Sequence, residues 1–344
     1  MQPNSHTQSI LVMRLSAMGD VAMTVPVVAA ALDQNPALHV HFVTNPAWFA
    51  MFPKHERLSL IAFDKKQKHK GIPGLLNFAW AAAPKEFTHF IDLHAVARSH
   101  FLGMWYRLRR KKVFKVDKQR AARKTLLLEK SLDKPLNSMV EQYAQVFRDA
   151  GFTLNLDHKR KNFLQLNSNL DSNSVGIAPF ARHAVKEYPI ELMRQTVEIL
   201  SANQLAISIY GSPSELEKIA DWAELPGVKL VQGQGLQSEL EQIANHAVML
   251  SMDSANMHLA SLVGVRVISV WGSTHVAAGF LGYGQSVEDV VQRNDLYCRP
   301  CSVYGNVSCA RKDLACLYGL APERLAEKVL QTLRGDDESL SKLL

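Results

Sequence analysis

Short runs of apolar and β-branched residues alternate along this chain with longer stretches whose apolar positions recur at helical spacing. In the first half the short runs fall at residues 10–15, 39–43, 58–63 and 89–93, and each reads as a buried strand followed by a helix. A polar, basic segment at 155–173 interrupts the rhythm and ends in Asn167-Ser168-Asn169-Leu170-Asp171-Ser172-Asn173, the composition of a linker. The alternation then restarts with runs at 175–179, 205–210, 228–231, 248–251 and 265–271, and a last helix is expected near 322–333. Strands that alternate with helices predict parallel sheets with crossover helices. The chain therefore reads as two Rossmann-like α/β domains, 1–168 and 173–334, with a charged tail at 335–344. Open parallel sheets take ligands at the carboxyl ends of their strands, so substrates are expected in a cleft between the domains and functional motifs just after strands.

Length and composition agree with that division. The chain has 344 residues, 47% hydrophobic and 21% charged, more than one α/β domain needs and typical of a globular protein. Residues 1–9 lack the basic flank and apolar run of a secretory signal. The longest apolar stretch, 21–32, contains Pro26 and falls short of the roughly 20 residues that cross a bilayer, so a cytoplasmic location is expected. The formal charge of +7 is concentrated at 98–130, where Arg107, Arg109, Arg110, Lys111, Lys112, Lys115, Lys118, Arg120, Arg123 and Lys124 face only Asp117 and Glu129. Such a stretch predicts an acidic partner, a membrane surface or phosphorylated lipid in preference to nucleic acid, for which no accompanying motif exists. A solvated basic face without a partner is the plainer alternative.

Four segments at strand ends carry candidate chemistry. The first strand runs into Ser16-Ala17-Met18-Gly19-Asp20, a small-residue turn in which Gly19 permits a tight bend and Asp20 can cap the following helix. It has one glycine, so neither the dinucleotide fingerprint nor the Walker pattern is present. Residues 178–189 place Lys186 after the first strand of the second domain, and Tyr210-Gly211-Ser212-Pro213-Ser214-Glu215 places a carboxylate suited to ribose hydroxyls after the next. In Asp253-Ser254-Ala255-Asn256-Met257-His258 the small residues would expose backbone N–H groups at a helix N-terminus, which favours a phosphate, with His258 one turn further in. Taken singly, each has an ordinary structural explanation as a helix cap or surface charge.

Together the segments resemble glycosyltransferase family 9, the ADP-heptose:lipopolysaccharide heptosyltransferases. Its opening turn matches Ser16 to Asp20, and its K-x-W-P matches Lys186 to Pro189 with Tyr188 in place of Trp. Its D-[ST]-G-x-x-H matches Asp253 to His258 with Ala255 in place of Gly, and Ala181 and Arg182 stand where some members carry a hydroxyl pair. The resemblance implies the GT-B architecture, two Rossmann-like domains facing each other across a cleft. It implies an inverting, metal-independent transfer of a sugar from a nucleotide sugar, ADP-heptose first, onto an anionic lipopolysaccharide core precursor at the inner face of the inner membrane. Asp20 would be the general base, with Arg14 and Ser16 beside the acceptor. Lys186, His258 and the amides of Ser254 and Ala255 would hold the departing diphosphate, Glu215 the ribose and Asp253 the donor sugar. No cofactor and no nucleic-acid partner are implied, a monomer is expected, and no D-x-D metal handle occurs in the chain.

All four cysteines lie close together as Cys298-x-x-Cys301, Cys309 and Cys316. The first pair has zinc-ligand spacing and the second, with six residues between its members, does not, so a reduced, packed or redox-sensitive loop is the favoured reading over structural zinc. Two other functions compete: a nucleotide-sugar epimerase or hydrolase on the same fold, and a non-enzymatic basic membrane-associated binding protein.

Overall fold

A computed structural model describes residues 8–65, 67–84 and 86–340. Residues 1–7, most of the amino-terminal segment read for a signal, and 341–344, the end of the expected tail, lie outside the described residues. The chain forms two compact units.

The first unit is built on five parallel strands: β1 (Gln8–Met13), β2 (Leu38–Thr44), β3 (Leu58–Ala62), β4 (His89–Asp92) and β5 (Lys112–Lys115), in the order β3-β2-β1-β4-β5. Helices cross between them, so every strand runs the same way. β1 is central and its residues Ile10, Leu11, Val12 and Met13 have no exposed surface, as a strand covered on both faces requires. The apolar stretch at 21–32 is divided: a short helix, Met18–Ala22, stops, and Val25–Gln34 begins with Pro26 in its first turn, where a missing N–H costs little. Leu11, Met13, Phe78, Phe90 and Leu102 anchor the core beneath helices Gly71–Asn77 and Ala97–Leu108.

The second unit holds six parallel strands: β6 (Asp171–Ala178), β7 (Ala206–Tyr210), β8 (Val228–Val231), β9 (His246–Met252), β10 (Arg266–Trp271) and β11 (Val290–Gln292), in the order β11-β10-β9-β6-β7-β8. Counted within the unit this is the doubly wound order 3-2-1-4-5-6. The core packs β6, β7, β9 and β10 against helices Ile190–Ala202 and Pro322–Leu340 through Val175, Ile177, Val197, Leu250, Ile268 and Val329. That last helix runs on into the segment expected to be a tail.

The strands read from the pattern are all present, shifted by a few residues at their ends, and two were not foreseen. β5 is Lys-Val-Phe-Lys at the sheet edge, two apolar residues between cations, and β11 has three residues at the corresponding edge of the other sheet. Edge strands bury one side only and carry little hydrophobic signal.

The division between units differs from the expected 1–168 and 173–334. One unit comprises the described residues up to Arg120 with Asn137–His158, and the other comprises Ala121–Leu136 with the chain from Lys159 onward. Leu126 packs with Ala277, Ala278 and Val303, and Leu136 N–H donates to the Ala277 carbonyl at 2.8 Å, which fixes 121–136 in the second unit. The basic stretch is therefore split. Arg123 is buried, with its guanidinium against the Phe280 and Tyr304 rings and a hydrogen bond to the Tyr304 hydroxyl, while Lys130 Nζ donates to the Pro300 carbonyl at 2.5 Å. These two cations serve packing in place of the docking role expected for the whole stretch. The polar segment at 155–173 is also no free tether. Asn155 exchanges two hydrogen bonds with Gln34, Phe163 N–H donates to the Leu262 carbonyl, and Asn169 N–H to Asn245 Oδ1. Polar composition there reflects backbone and amide pairing as much as exposure.

Candidate functional site

In each sheet the strand order reverses beside the first strand of the unit, between β1 and β4 and between β6 and β9. The crevice outside the carboxyl ends at such a switch point is where open α/β sheets bind ligands, because the crossovers on either side splay apart there. Asp20 follows β1, Lys186 follows β6, and Asp253 follows β9. The candidate residues thus form two half-sites, one in each unit.

In the first unit Asp20 sits in the third position of helix Met18–Ala22, not before it as a cap, and Ala17 is the capping residue. One carboxylate oxygen, Oδ2, accepts the Ala17 N–H at 3.1 Å and pairs with Arg14 Nη2 at 2.5 Å. The Arg14 side chain is 7% exposed and that of Asp20 25%. Arg14 also donates Nη1 to the Leu93 carbonyl at 2.7 Å, so it bridges the ends of β1 and β4. Burial opposes its charge, but Tyr143, Asp20 and Asp92 hold its pKa above the ordinary value. Arg14, expected beside the acceptor, holds the Asp20 carboxylate in place, and Ser16 stands half-buried on the same turn.

Sequence reading missed the residues that complete this half-site. Asp92 accepts the His94 and Ala95 N–H groups at 2.9 and 2.8 Å, shaping the turn after β4, and Lys118 Nζ donates to the Ala95 carbonyl at 3.1 Å. Burial, with Arg14 and Lys118 nearby, pushes His94 down to about 3, so its ring is neutral near pH 7. Burial and the same Arg14 also lower Lys118. The only sequence signal was position: each lies at the end of a strand or just past one.

In the second unit Lys186 Nζ and Asp253 Oδ2 stand 2.8 Å apart, 14% and 7% exposed, and Thr274 Oγ1 donates to the same carboxylate oxygen at 2.7 Å. Lys186 and Asp253, expected to contact diphosphate and sugar separately, are thus brought together as an ion pair. The Lys186 stem passes Gly305, whose φ is +76° and where an added Cβ would stand 2.3 Å from Lys186 Cδ, so any other residue would be strained and would push the lysine stem aside. Tyr188, in the family's Trp position, is fully buried and donates its hydroxyl to the Leu320 carbonyl at 2.6 Å, and Glu187 accepts the Ala181 N–H at 3.0 Å. These two fasten the loop that carries Lys186.

Ser254 precedes helix Ala255–Leu262 in extended conformation and its side chain makes no capping hydrogen bond. The first-turn amides of that helix consequently have no side-chain cap, which is the arrangement that receives an anion. His258 lies one turn in and is 7% exposed. Glu215 is engaged locally: its Oε2 accepts Ser212 N–H and Oγ–H at 2.8 and 2.7 Å, a reciprocal cap on helix Pro213–Leu216 after β7.

The cysteine-bearing segment supports this half-site. All four thiols are unbridged, and among the described residues no three His, Cys, Asp or Glu side chains are grouped to hold a metal ion. Burial, reinforced by Cys298 and Cys309, raises Cys301, and burial pushes Cys316 up to about 11, so these two stay protonated near neutral pH. Between the first two cysteines lies Arg299, buried, which donates to the carbonyls of Gly272, Trp271 and Thr274 and to Gln292 Oε1. It gathers the loop after β10 and so fixes the residue that holds Asp253.

Comparison with known proteins identifies the family and the fold. Glycosyltransferase family 9 (heptosyltransferase) matches residues 82–309. The lipopolysaccharide core heptosyltransferase OpsX of Haemophilus influenzae is 20% identical over 278 residues, 77% of this chain and 79% of that protein. Among solved structures, E. coli heptosyltransferase WaaC with ADP superposes with a TM-score of 0.69 at 19% identity, covering 94% of this chain and all of that one. A glycosyl transferase family 9 protein from Veillonella parvula gives 0.72 at 17% identity, covering 97% and 99%. The fold is that of the GT-B heptosyltransferases, and with the family matched over most of its length the chain belongs to glycosyltransferase family 9 and is a glycosyltransferase.

Proposed function

We propose that the protein transfers heptose from ADP-heptose to a lipopolysaccharide core precursor by a single inverting displacement. The observation that carries the donor half is the Lys186–Asp253 pair beside the uncapped first turn of helix Ala255–Leu262 at the β6/β9 switch point. WaaC is seen with ADP and with ADP-2-deoxy-2-fluoro heptose, which supports an adenine nucleotide sugar here.

In this reading the acceptor hydroxyl attacks the anomeric carbon while Asp20 takes its proton, the bond from that carbon to the phosphate oxygen breaks, and ADP leaves with the electron pair. Arg14 keeps Asp20 oriented. Negative charge grows on the diphosphate, where Lys186, His258 and the Ser254 and Ala255 amides offer fixed positive potential without reorganisation. Those groups do the work a metal ion does elsewhere, so the transfer is metal-independent. Asp253 binds a hydroxyl of the donor sugar, and Glu215 keeps one oxygen for the ribose. The enzyme acts as a monomer in the cytoplasm, peripheral to the inner membrane; no helix among the described residues is long and apolar enough to cross it.

Thermal denaturation against a panel of nucleotides tests the donor. ADP should raise the melting temperature more than UDP or GDP, since a ligand that binds only the folded state stabilises it. Equal shifts would contradict the assignment. Sugar transfer from ADP-heptose only when glycolipid is present separates the transferase from the epimerase or hydrolase, which consumes donor alone, and turnover that survives chelation tests metal independence.

A further inference from the structure

Helix Ala97–Leu108 is apolar on two faces. One face, with Leu102, Gly103 and Tyr106, is buried against the sheet. The other carries Met104 and Leu108, four residues apart and therefore side by side, 57% and 77% exposed. Neighbouring Trp80, on the continuation of helix Gly71–Asn77, is 69% exposed. The Arg109 guanidinium lies 4.7 Å from the Trp80 ring centre and 5.0 Å from that of Trp105, joining the ends of the two helices into one patch. Two large apolar side chains and an indole exposed together among cations make a patch that calls for a partner to cover it.

The charge around the patch says what the cover is. Residues 97–116 contain Arg98, Arg107, Arg109, Arg110, Lys111, Lys112 and Lys115 and no carboxylate. Arg107 and Arg110 are exposed beside Leu108, and Lys111 is tied to the Phe87 carbonyl at 2.5 Å. A second copy of the chain on a two-fold axis would set these cations against themselves. Nucleic acid would use the indole faces for stacking, but Arg109 already lies over both rings and the aliphatic Met104 and Leu108 offer no stacking surface. Exposed indole and leucine among arginines match the boundary of an anionic bilayer, where rings and aliphatic groups enter the headgroup layer and cations meet phosphate.

We infer that Trp80, Met104 and Leu108, with Arg107, Arg109 and Arg110 around them, form a docking surface for anionic phospholipid bilayers. The inference deepens the proposed membrane-bound acceptor and rests on that reading for its purpose, while the binding itself is independent of catalysis. Unlike the basic stretch taken as a whole, the surface belongs entirely to the first unit and excludes Arg123 and Lys130, which pack inside the second.

Flotation of the whole protein with vesicles tests it. The protein should bind phosphatidylethanolamine–phosphatidylglycerol vesicles, bind pure phosphatidylcholine weakly, and lose binding in high salt. Trp80→Ala with Leu108→Ala should lower the partition coefficient by ~10-fold or more. Arg107→Gln with Arg110→Gln should lower it by about 10-fold on the anionic vesicles alone. Tyr297→Ser, which removes an exposed aromatic of the second unit, should leave it unchanged. Stabilisation by ADP, measured on each variant, should be intact and certifies folding. Loss of vesicle binding with ADP binding retained in the native protein would sink the docking surface and leave the transferase standing; the reverse result would sink the transferase. Equal losses in the Tyr297 and Trp80/Leu108 variants, an oligomer that the Trp80/Leu108 change dissolves, or RNA binding abolished by it would each overturn the bilayer as occupant.

Discussion

The two half-sites use the same device with opposite outcomes. In the first unit an arginine is buried and fastened, to the Leu93 carbonyl and to Asp20, and the carboxylate is the more exposed partner. In the second unit the carboxylate is fastened, by Thr274 and Lys186, and the lysine is the more exposed partner on a stem that Gly305 makes room for. One pair offers an anion to solvent and the other a cation. In the proposed reaction a hydroxyl loses a proton and a diphosphate gains negative charge, and those two signs would serve the two roles.

The largest effect that would break the comparison is on turnover. Asp20→Asn keeps the size and the Ala17 contact but would remove the proposed base, and kcat should fall by about 10²–10⁴-fold in a steady-state assay. Lys186→Ala should weaken ADP binding by about 10–100-fold by titration calorimetry, since the proposed charge-assisted contact to the diphosphate would be lost. Arg14→Met tests whether that arginine positions or binds: it removes the partner of both Asp20 and the Leu93 carbonyl, so stability to urea should drop by about 2–4 kcal/mol and kcat should fall with little change in acceptor KM. A rise in acceptor KM at unchanged kcat would return Arg14 to the acceptor. Thr274→Val removes one hydrogen bond to Asp253 and should cost ADP affinity no more than about tenfold.

Smaller still is the pH dependence of stability. Burial lowers His94 to about 3 and His246 and His275 to about 4, all below the ordinary 6.5. The unfolded chain therefore binds more protons than the folded one below about pH 6.5, and stability falls as pH drops from there toward 4. Urea midpoints at pH 7 and pH 5 should show the decline, and His246→Gln should flatten it.

Much of this was legible in the sequence because it is local. Strands buried on both faces read as apolar runs, and Asp20, Lys186 and Asp253 became candidates by following such runs together with matching the family's motifs. What was hidden depends on packing between distant segments. Thr274 reaches Asp253 from 21 residues away, and Arg299 gathers carbonyls from as far back as Trp271, with no spacing rule to link them. His94 and Lys118 belong to the first half-site only because β4 lies beside β1. The placement of 121–136 was equally invisible, since its amphipathic helix would suit either unit and only the contact of Leu126 with Ala277, Ala278 and Val303 decides. Arg14 was singled out from its place after the first strand, but its pairing with Asp20 and the Leu93 carbonyl could not be read.

The division of labour between the two ion pairs is tested most directly by measuring ADP affinity and turnover together in the Asp20→Asn and Lys186→Ala proteins. The account predicts a crossed pattern: Asp20→Asn binds ADP as the native protein does and barely turns over, while Lys186→Ala loses ADP affinity. Parallel losses of both properties in both proteins, or native turnover in Asp20→Asn, would contradict it.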